Sequence, residues 1–243
     1  LKLNKEFFFG YSPERINPND RKYKISNIKK ITSGSNQKTA NFVDRLYKKI
    51  IKVGTYKVQN IKVAEAAKVI ENAQRDINIA FVNELSIIFN QLKIDTNEVL
   101  KAAKTKWNFL DFKPGLVGGH CIGVDPYYLT YISNKVGYKP EIILSGRRVN
   151  DNMGNEITKR IITTLKQNKA SIEKTKFLIL GFSFKENCND IRNTKVYDIY
   201  KNLKHKGGKI HVFDPLVDSV TVKKEYNINM LKKPKNHYYD VII

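Results

Sequence analysis

At 243 residues, with 41% hydrophobic residues, 13 Tyr and 12 Phe, the chain has the composition of a folded protein with one or two domain cores, not of a disordered segment. No apolar run approaches the roughly 18 residues of a membrane-spanning helix, the opening residues do not read as an export leader, and two cysteines, Cys121 and Cys188, do not make a disulfide framework, so a cytoplasmic setting with reduced thiols is expected. The net charge of +21 arises from lysines spread through the chain beside Asn and Ile, a distribution that suits an anionic small molecule better than nucleic acid.

In chain order, Glu6 to Gly10 is a short apolar strand-like run. It feeds a loop from Tyr11 to Asp20 that contains two prolines. Lys24 to Ile31 predicts a second strand. Asn36 to Lys49 predicts a helix with Ala40, Phe42, Val43, Leu46 and Tyr47 on one side. From Asn60 to Gln91 runs a long helical signal free of Gly and Pro, its apolar positions Ala66, Ala67, Ile70, Ala73, Ile77, Ala80, Phe81, Leu85 and Ile88 recurring at helical spacing. Lys68 and Asn72 are one turn apart on it, either addressing one ligand or lying on a solvated stripe. Asp95 with Glu98 predicts a capped helix start, and that helix should run to about Lys106.

Beyond residue 113 lies Lys113-Pro-Gly-Leu-Val-Gly-Gly-His-Cys-Ile-Gly-Val-Asp-Pro-Tyr127. A lone Cys among Gly118, Gly119 and Gly123 is a poor helix or strand sequence; it reads as a loop whose backbone comes close to something. Cys121 would supply a soft nucleophile and Asp125 a carboxylate for proton traffic. The alternative is a turn around an inert Cys. Helices are then predicted over 126–136 and 142–166, the second interrupted near Gly154, with charged residues between Arg147 and Asn155 marking a hinge or a shared helix. Phe177 to Leu180, a helix from Thr194 to His205 and Ile210 to Asp214 make a βαβ unit, with a third strand at Tyr239 to Ile243, so a parallel sheet is expected. In such sheets ligands sit beyond the carboxyl ends of the strands. Lys185 and Arg192, in the loop from Phe182 to Asn193, could meet phosphates there or be ordinary loop charges. No Gly-x-Gly-x-x-Gly occurs among the 13 glycines.

Tyr11-Ser-Pro-Glu-Arg15, Glu65-Ala-Ala-Lys68 with Asn72 and Asn83-Glu84, Gly118-Gly-His-Cys-Ile-Gly-Val-Asp125, Gly181-Phe-Ser-Phe-Lys185 with Asp190-Ile-Arg192, and Phe213-Asp-Pro215 resemble, in this order, the UDP-glucose/GDP-mannose dehydrogenase family. The wording of the Cys loop, with Gly146-Arg-Arg-Val-Asn150, is most similar to the members of bacterial surface-polysaccharide pathways that act on UDP-N-acetylglucosamine; UDP-N-acetylmannosamine and UDP-glucose stay open. The resemblance implies an α/β chain in three parts. These are the tail of a Rossmann-type NAD domain at residues 1–56, a central helical domain at 57–155 that dimerises through the helix over 60–91, and a Rossmann-like UDP domain at 156–243, the first and last truncated.

The resemblance also implies roles. Cys121 would form a thiohemiacetal and then a thioester as a sugar C6 alcohol is oxidised to a carboxylate. Lys68 would stabilise the alkoxide and favour the thiolate, and Asn72 would orient water or hydroxyl. Asp125 and Glu14 would move the protons of thioester hydrolysis. The main chain from Phe112 through Gly118 and Gly119 would wrap the sugar and pyrophosphate, and Lys185 and Arg192 would complete the anion site. His120 invites a Cys–His dyad, but sequence neighbours usually point apart. The NAD site would lie mostly outside this chain and no metal is implied, so the fragment alone is expected to be inactive. A non-catalytic dimerising remnant is the competing reading.

Overall fold

The computed structural model describes residues 1–16 and 23–243; the part of the expected loop at 17–20 lies outside the described residues. The chain divides into two compact units, Leu1–Asn72 and Ala73–Ile243.

In the first unit a two-residue strand, β1 (Gly10–Tyr11), pairs antiparallel with β2 (Lys30–Gly34), which pairs parallel with β3 (Thr55–Lys57). The helix α1 (Gln37–Lys48) crosses over between β2 and β3, opened by Asn36, whose side chain accepts the Thr39 amide at 2.9 Å. The strand expected over 24–31 begins only at Lys30, because Ile25–Asn27 is a 3-10 turn. All five residues of β2 are buried. Of its polar side chains, Thr32 donates to Asp44 of α1 at 2.9 Å, Ser33 to the Tyr11 carbonyl and Lys30 to the Pro13 carbonyl; Asp44 also accepts from Thr55 at 2.6 Å and pairs with Lys48 at 2.7 Å. The apolar face expected on α1 is buried only in part, with Val43 and Tyr47 half-buried. Ala40 and Asp44 are buried, whereas Phe42 and Leu46 are exposed. Glycine is needed at position 34, since a Cβ there would come within 2.4 Å of the Ala40 backbone nitrogen.

The helix α2 (Ile61–Leu92) runs across the unit boundary without a break. Its buried positions are partly polar: Ala64, Ala73, Ala80 and Val82 are accompanied by Asn72, Asp76, Asn83 and Ser86, while Ile70, Phe81 and Ile88, expected in a core, are exposed.

The second unit continues with α3 (Thr96–Ala103), capped by Asp95, which accepts from the amides of Asn97 and Glu98. After the Gly-rich loop come α4 (Asp125–Lys135) and α5 (Glu141–Gln167). The latter passes through Gly154 without interruption. Gly154 is there for proximity, since a Cβ would come within 2.8 Å of Asp198 Cβ. Next are β4 (Lys176–Leu180), α6 (Val196–His205), β5 (Lys209–Phe213), α7 (Ser219–Tyr226) and β6 (Val241–Ile242), forming a parallel sheet in the order β5-β4-β6. Helix α7, not foreseen, is capped by Asp218 and ends at a left-handed Asn227. Its apolar content is low, and only Val222 is buried. Strand β4 contributes to two cores: Phe177 packs with Leu165, Ile199 and Leu203, and Ile179 with Phe182, Val212 and Val222. Burial by both groups is why its sequence is a continuous apolar run. No helix among the described residues is long and apolar enough to cross a membrane.

Candidate active site

The loop before α4 holds Cys121 half-buried and Cys188 only 6% exposed. The Cys121 carbonyl accepts two amides, Val124 at 3.1 Å and Asp125 at 2.8 Å. That turn sets Asp125 as the first residue of α4, where the helix dipole favours a carboxylate. Phe112 lies half-buried upstream, while Gly118 and Gly119 are buried. Other parts of the chain pass close to both glycines. A Cβ on Gly118 would come within 2.7 Å of the Asn193 carbonyl. One on Gly119, whose φ is +80°, would meet the Phe184 ring at 2.9 Å. The Gly119 amide donates to the Arg192 carbonyl at 3.2 Å, and the Asn193 side chain donates to the Gly119 carbonyl at 3.2 Å. The Cys loop is thus laid on the loop from Phe182 to Asn193, bringing Cys121 into electrostatic reach of Arg192. Arg192 itself forms a bidentate pair with Asp190, at 3.0 Å and 2.5 Å, which holds the Asp190 carboxyl below the usual range. His120 is exposed, its charge felt by Asp190. Lys185 is half-buried, and its carbonyl accepts from Ser183.

Beside this loop lies a buried ion cluster. Arg147 of α5, 3% exposed, donates from Nη1 to Asp76 at 2.6 Å and from Nη2 to Asp151 at 2.6 Å. Asp151 also accepts the Tyr127 hydroxyl at 2.9 Å and pairs with Lys195 at 3.2 Å. Asn150 donates to Asp76 at 2.7 Å, and Asn83 donates to Asn150 and exchanges hydrogen bonds with the Gly115 backbone. Burial works against the Arg147 charge, but Asp76 and Asp151 hold it above its ordinary value. Burial lifts the Asp76 carboxyl despite Arg147, in keeping with Asp76 Oδ2 having no partner. Asp151, with three partners, is held low against its own desolvation. A cavity of about 390 Å³ opens here, lined by Gly118, Gly119, Gly123, Tyr127, Arg147 and Lys195 among others. The sequence reading took residues 147–155 for a hinge or a shared helix, and they lie within the continuous helix α5. The polar residues at 147, 150 and 151 were the available signal of a buried polar stripe.

The remaining candidates belong to the first unit. Glu14 is exposed and folded back on the amides of Arg15 and Ile16, both 2.6 Å from Oε1. Arg15 pairs with Glu71 at 2.7 Å. Lys68 is half-buried and Asn72 buried. Glu14, Arg15 and Lys68 all act electrostatically on Lys30, which the sequence did not single out. Lys30 is buried with its Nζ on the Pro13 carbonyl at 2.7 Å, and desolvation pulls its pKa below that of an ordinary lysine. The βα turn of this unit is no dinucleotide cradle, since the Ser35 amide is spent on the Phe9 carbonyl and Asn36 caps its own helix. Among the described residues no group of three His, Cys, Asp or Glu could hold a metal.

Residues 62–152 match the UDP-glucose/GDP-mannose dehydrogenase family, central domain, and residues 178–243 match the UDP binding domain of the same family. The whole chain is 58% identical to a UDP-N-acetyl-D-glucosamine 6-dehydrogenase of Salmonella typhi, covering 57% of that protein. It is 54% identical to one of Pseudomonas aeruginosa, covering 58%. The chain thus spans less than two thirds of the length of these relatives. In fold it is similar to the UDP-D-ManNAc dehydrogenase of Pyrococcus horikoshii, with a TM-score of 0.81 at 25% identity over 90% of this chain and 51% of that one. Both family matches, in register with the loop that carries Cys121 and the loop it lies on, lead to one assignment: the chain belongs to the UDP-glucose/GDP-mannose dehydrogenase family.

Proposed function

We propose that this chain carries the reacting thiol and the UDP-side groups of an NAD-dependent nucleotide-sugar 6-dehydrogenase whose substrate is UDP-N-acetylglucosamine. The observation that carries the reading is the docking of the Cys121 loop, through Gly119, onto the Arg192 carbonyl and the Asn193 side chain. The identity to the Salmonella and Pseudomonas enzymes favours the N-acetylglucosamine substrate over UDP-N-acetylmannosamine and UDP-glucose. The division at 1–56, 57–155 and 156–243 is part of the proposal, and the family matches to 62–152 and 178–243 support its second and third parts.

Converting –CH2OH to –COO⁻ removes two hydrides, for which NAD is the acceptor when bound. The Ser35–Asn36 turn does not suit its diphosphate, so the roles below are those of the residues at C6. The Cys121 thiolate adds to the C6 aldehyde, making the carbon tetrahedral, and Lys68 stabilises the alkoxide. Loss of the second hydride leaves a thioester. Water oriented by Asn72 hydrolyses it, with Asp125 and Glu14 carrying protons, and the thiolate returns. Phe112, Gly118 and Gly119 hold the sugar and pyrophosphate, and a phosphate at Lys185 and Arg192 takes Arg192 from Asp190. Exposed Ile70, Phe81 and Ile88 support a homodimer through α2; sedimentation showing only monomer at high micromolar concentration would remove that element.

The test is site-resolved alkylation with iodoacetamide. Cys121 should react faster than Cys188, and UDP-N-acetylglucosamine should slow Cys121 more than UDP-glucose does. Equal rates at both cysteines, unchanged by any UDP-sugar, would sink the site assignment.

A further inference from the structure

We propose that Arg147 is the positioning residue of the Cys121 loop, acting through Gly123 and Tyr127. This rests on the reading of Cys121 as the reacting thiol. Three contacts converge on the guanidinium. Gly123, between Cys121 and Asp125, lies directly over it: a Cβ there would be 3.9 Å from both Nη1 and Nη2. Tyr127, in the first turn of α4, lies with its ring 5.7 Å from the guanidinium carbon and its hydroxyl on Asp151, the carboxylate that Arg147 also holds. Asp76, fully buried on α2, anchors the other nitrogen. The guanidinium therefore spans α2 and α5 and supports the turn in which the Asp125 amide donates to the Cys121 carbonyl. Lys195, also on Asp151, ties the start of α6 into the same cluster, next to the Asn193 that holds Gly119.

A buried ion cluster is a weak source of stability, because desolvation offsets its attraction. Here Asp76 Oδ2 and Arg147 Nε have no hydrogen-bond partner, which weakens the stability argument further. What such a cluster supplies is direction. A planar fork with two nitrogens on two carboxylates fixes their separation as an ammonium cannot.

The experiment is carried out on the whole ligand-free chain, so its outcome is independent of whether a UDP-sugar protects Cys121. Alkylation of Cys121 and Cys188 by iodoacetamide is followed by mass spectrometry in the wild type, Arg147→Lys and Tyr127→Phe, with far-UV circular dichroism to confirm folding. If Arg147 positions the loop, Cys121 reacts about tenfold faster in Arg147→Lys and about threefold faster in Tyr127→Phe, through local opening, while Cys188 in the same unit keeps its wild-type rate. If both cysteines accelerate together, Arg147 is general fold support and the proposal fails. It also fails if neither rate changes. Should Arg147→Lys not fold, Tyr127→Phe, which removes one hydroxyl, decides the matter alone.

Discussion

Two buried cations in this molecule meet opposite fates. Arg147 is surrounded by Asp76 and Asp151, each at 2.6 Å, and its pKa is raised. Lys30 is similarly inaccessible, but its ammonium donates to a neutral carbonyl, with Glu14 acting only at a distance, and its pKa is lowered. Burial opposes the charge in both places, and whether a carboxylate is within hydrogen-bond range decides the sign. Arg147 is consequently a permanent charge built into the scaffold. Lys30, near Glu14 and Lys68, is a cation whose charge burial disfavours.

The comparison can be broken by substitution. Arg147→Met leaves the Asp76 carboxylate buried without its counter-ion and should cost about 3–5 kcal/mol in urea unfolding; a loss under about 1 kcal/mol would mean that Asp76 is already neutral in the folded state. Tyr127→Phe removes one hydroxyl from Asp151 and should cost about 1 kcal/mol, with Arg147 and Lys195 still holding that carboxylate. Lys30→Met should fall within about 1 kcal/mol of neutral near pH 7, because the lost hydrogen bond to Pro13 is offset by the desolvation it relieves. Its pH dependence sharpens the contrast. With the folded pKa of Lys30 below the unfolded 10.5, the unfolded chain binds more protons between those two values. Wild-type stability should therefore rise relative to Lys30→Met as pH climbs through the lowered value toward 10.5. A flat difference across that interval would show that Lys30 keeps an ordinary pKa.

Local signals of helix and strand were legible because they depend on neighbours in sequence. Asn36 and Asp95 cap the helices they were expected to open or precede, and the β4–α6–β5 unit follows from two apolar runs around a helix. The helix face was less legible. On α2 the periodicity of Ile70, Phe81 and Ile88 was real, but these side chains are exposed, and the buried positions include Asp76 and Asn83. An aspartate in a helix core makes sense only once Arg147 and Asn150, more than 70 residues away, are known to meet it. Gly154 misled for a related reason, since a helix-breaking residue was retained for the close passage of α6.

By itself the sequence determined the family, the α/β class and the order of most elements, α7 excepted, and it singled out the Cys121 loop as the candidate centre of chemistry, since motif wording, periodicity and turn residues are written along the chain. Only the tertiary structure decided what the glycines of that loop lie against, which carboxylates hold Arg147, and that Lys30 is a buried cation. Each of these depends on groups brought together from distant segments, and the low dielectric between them, absent from any linear pattern, sets their charge.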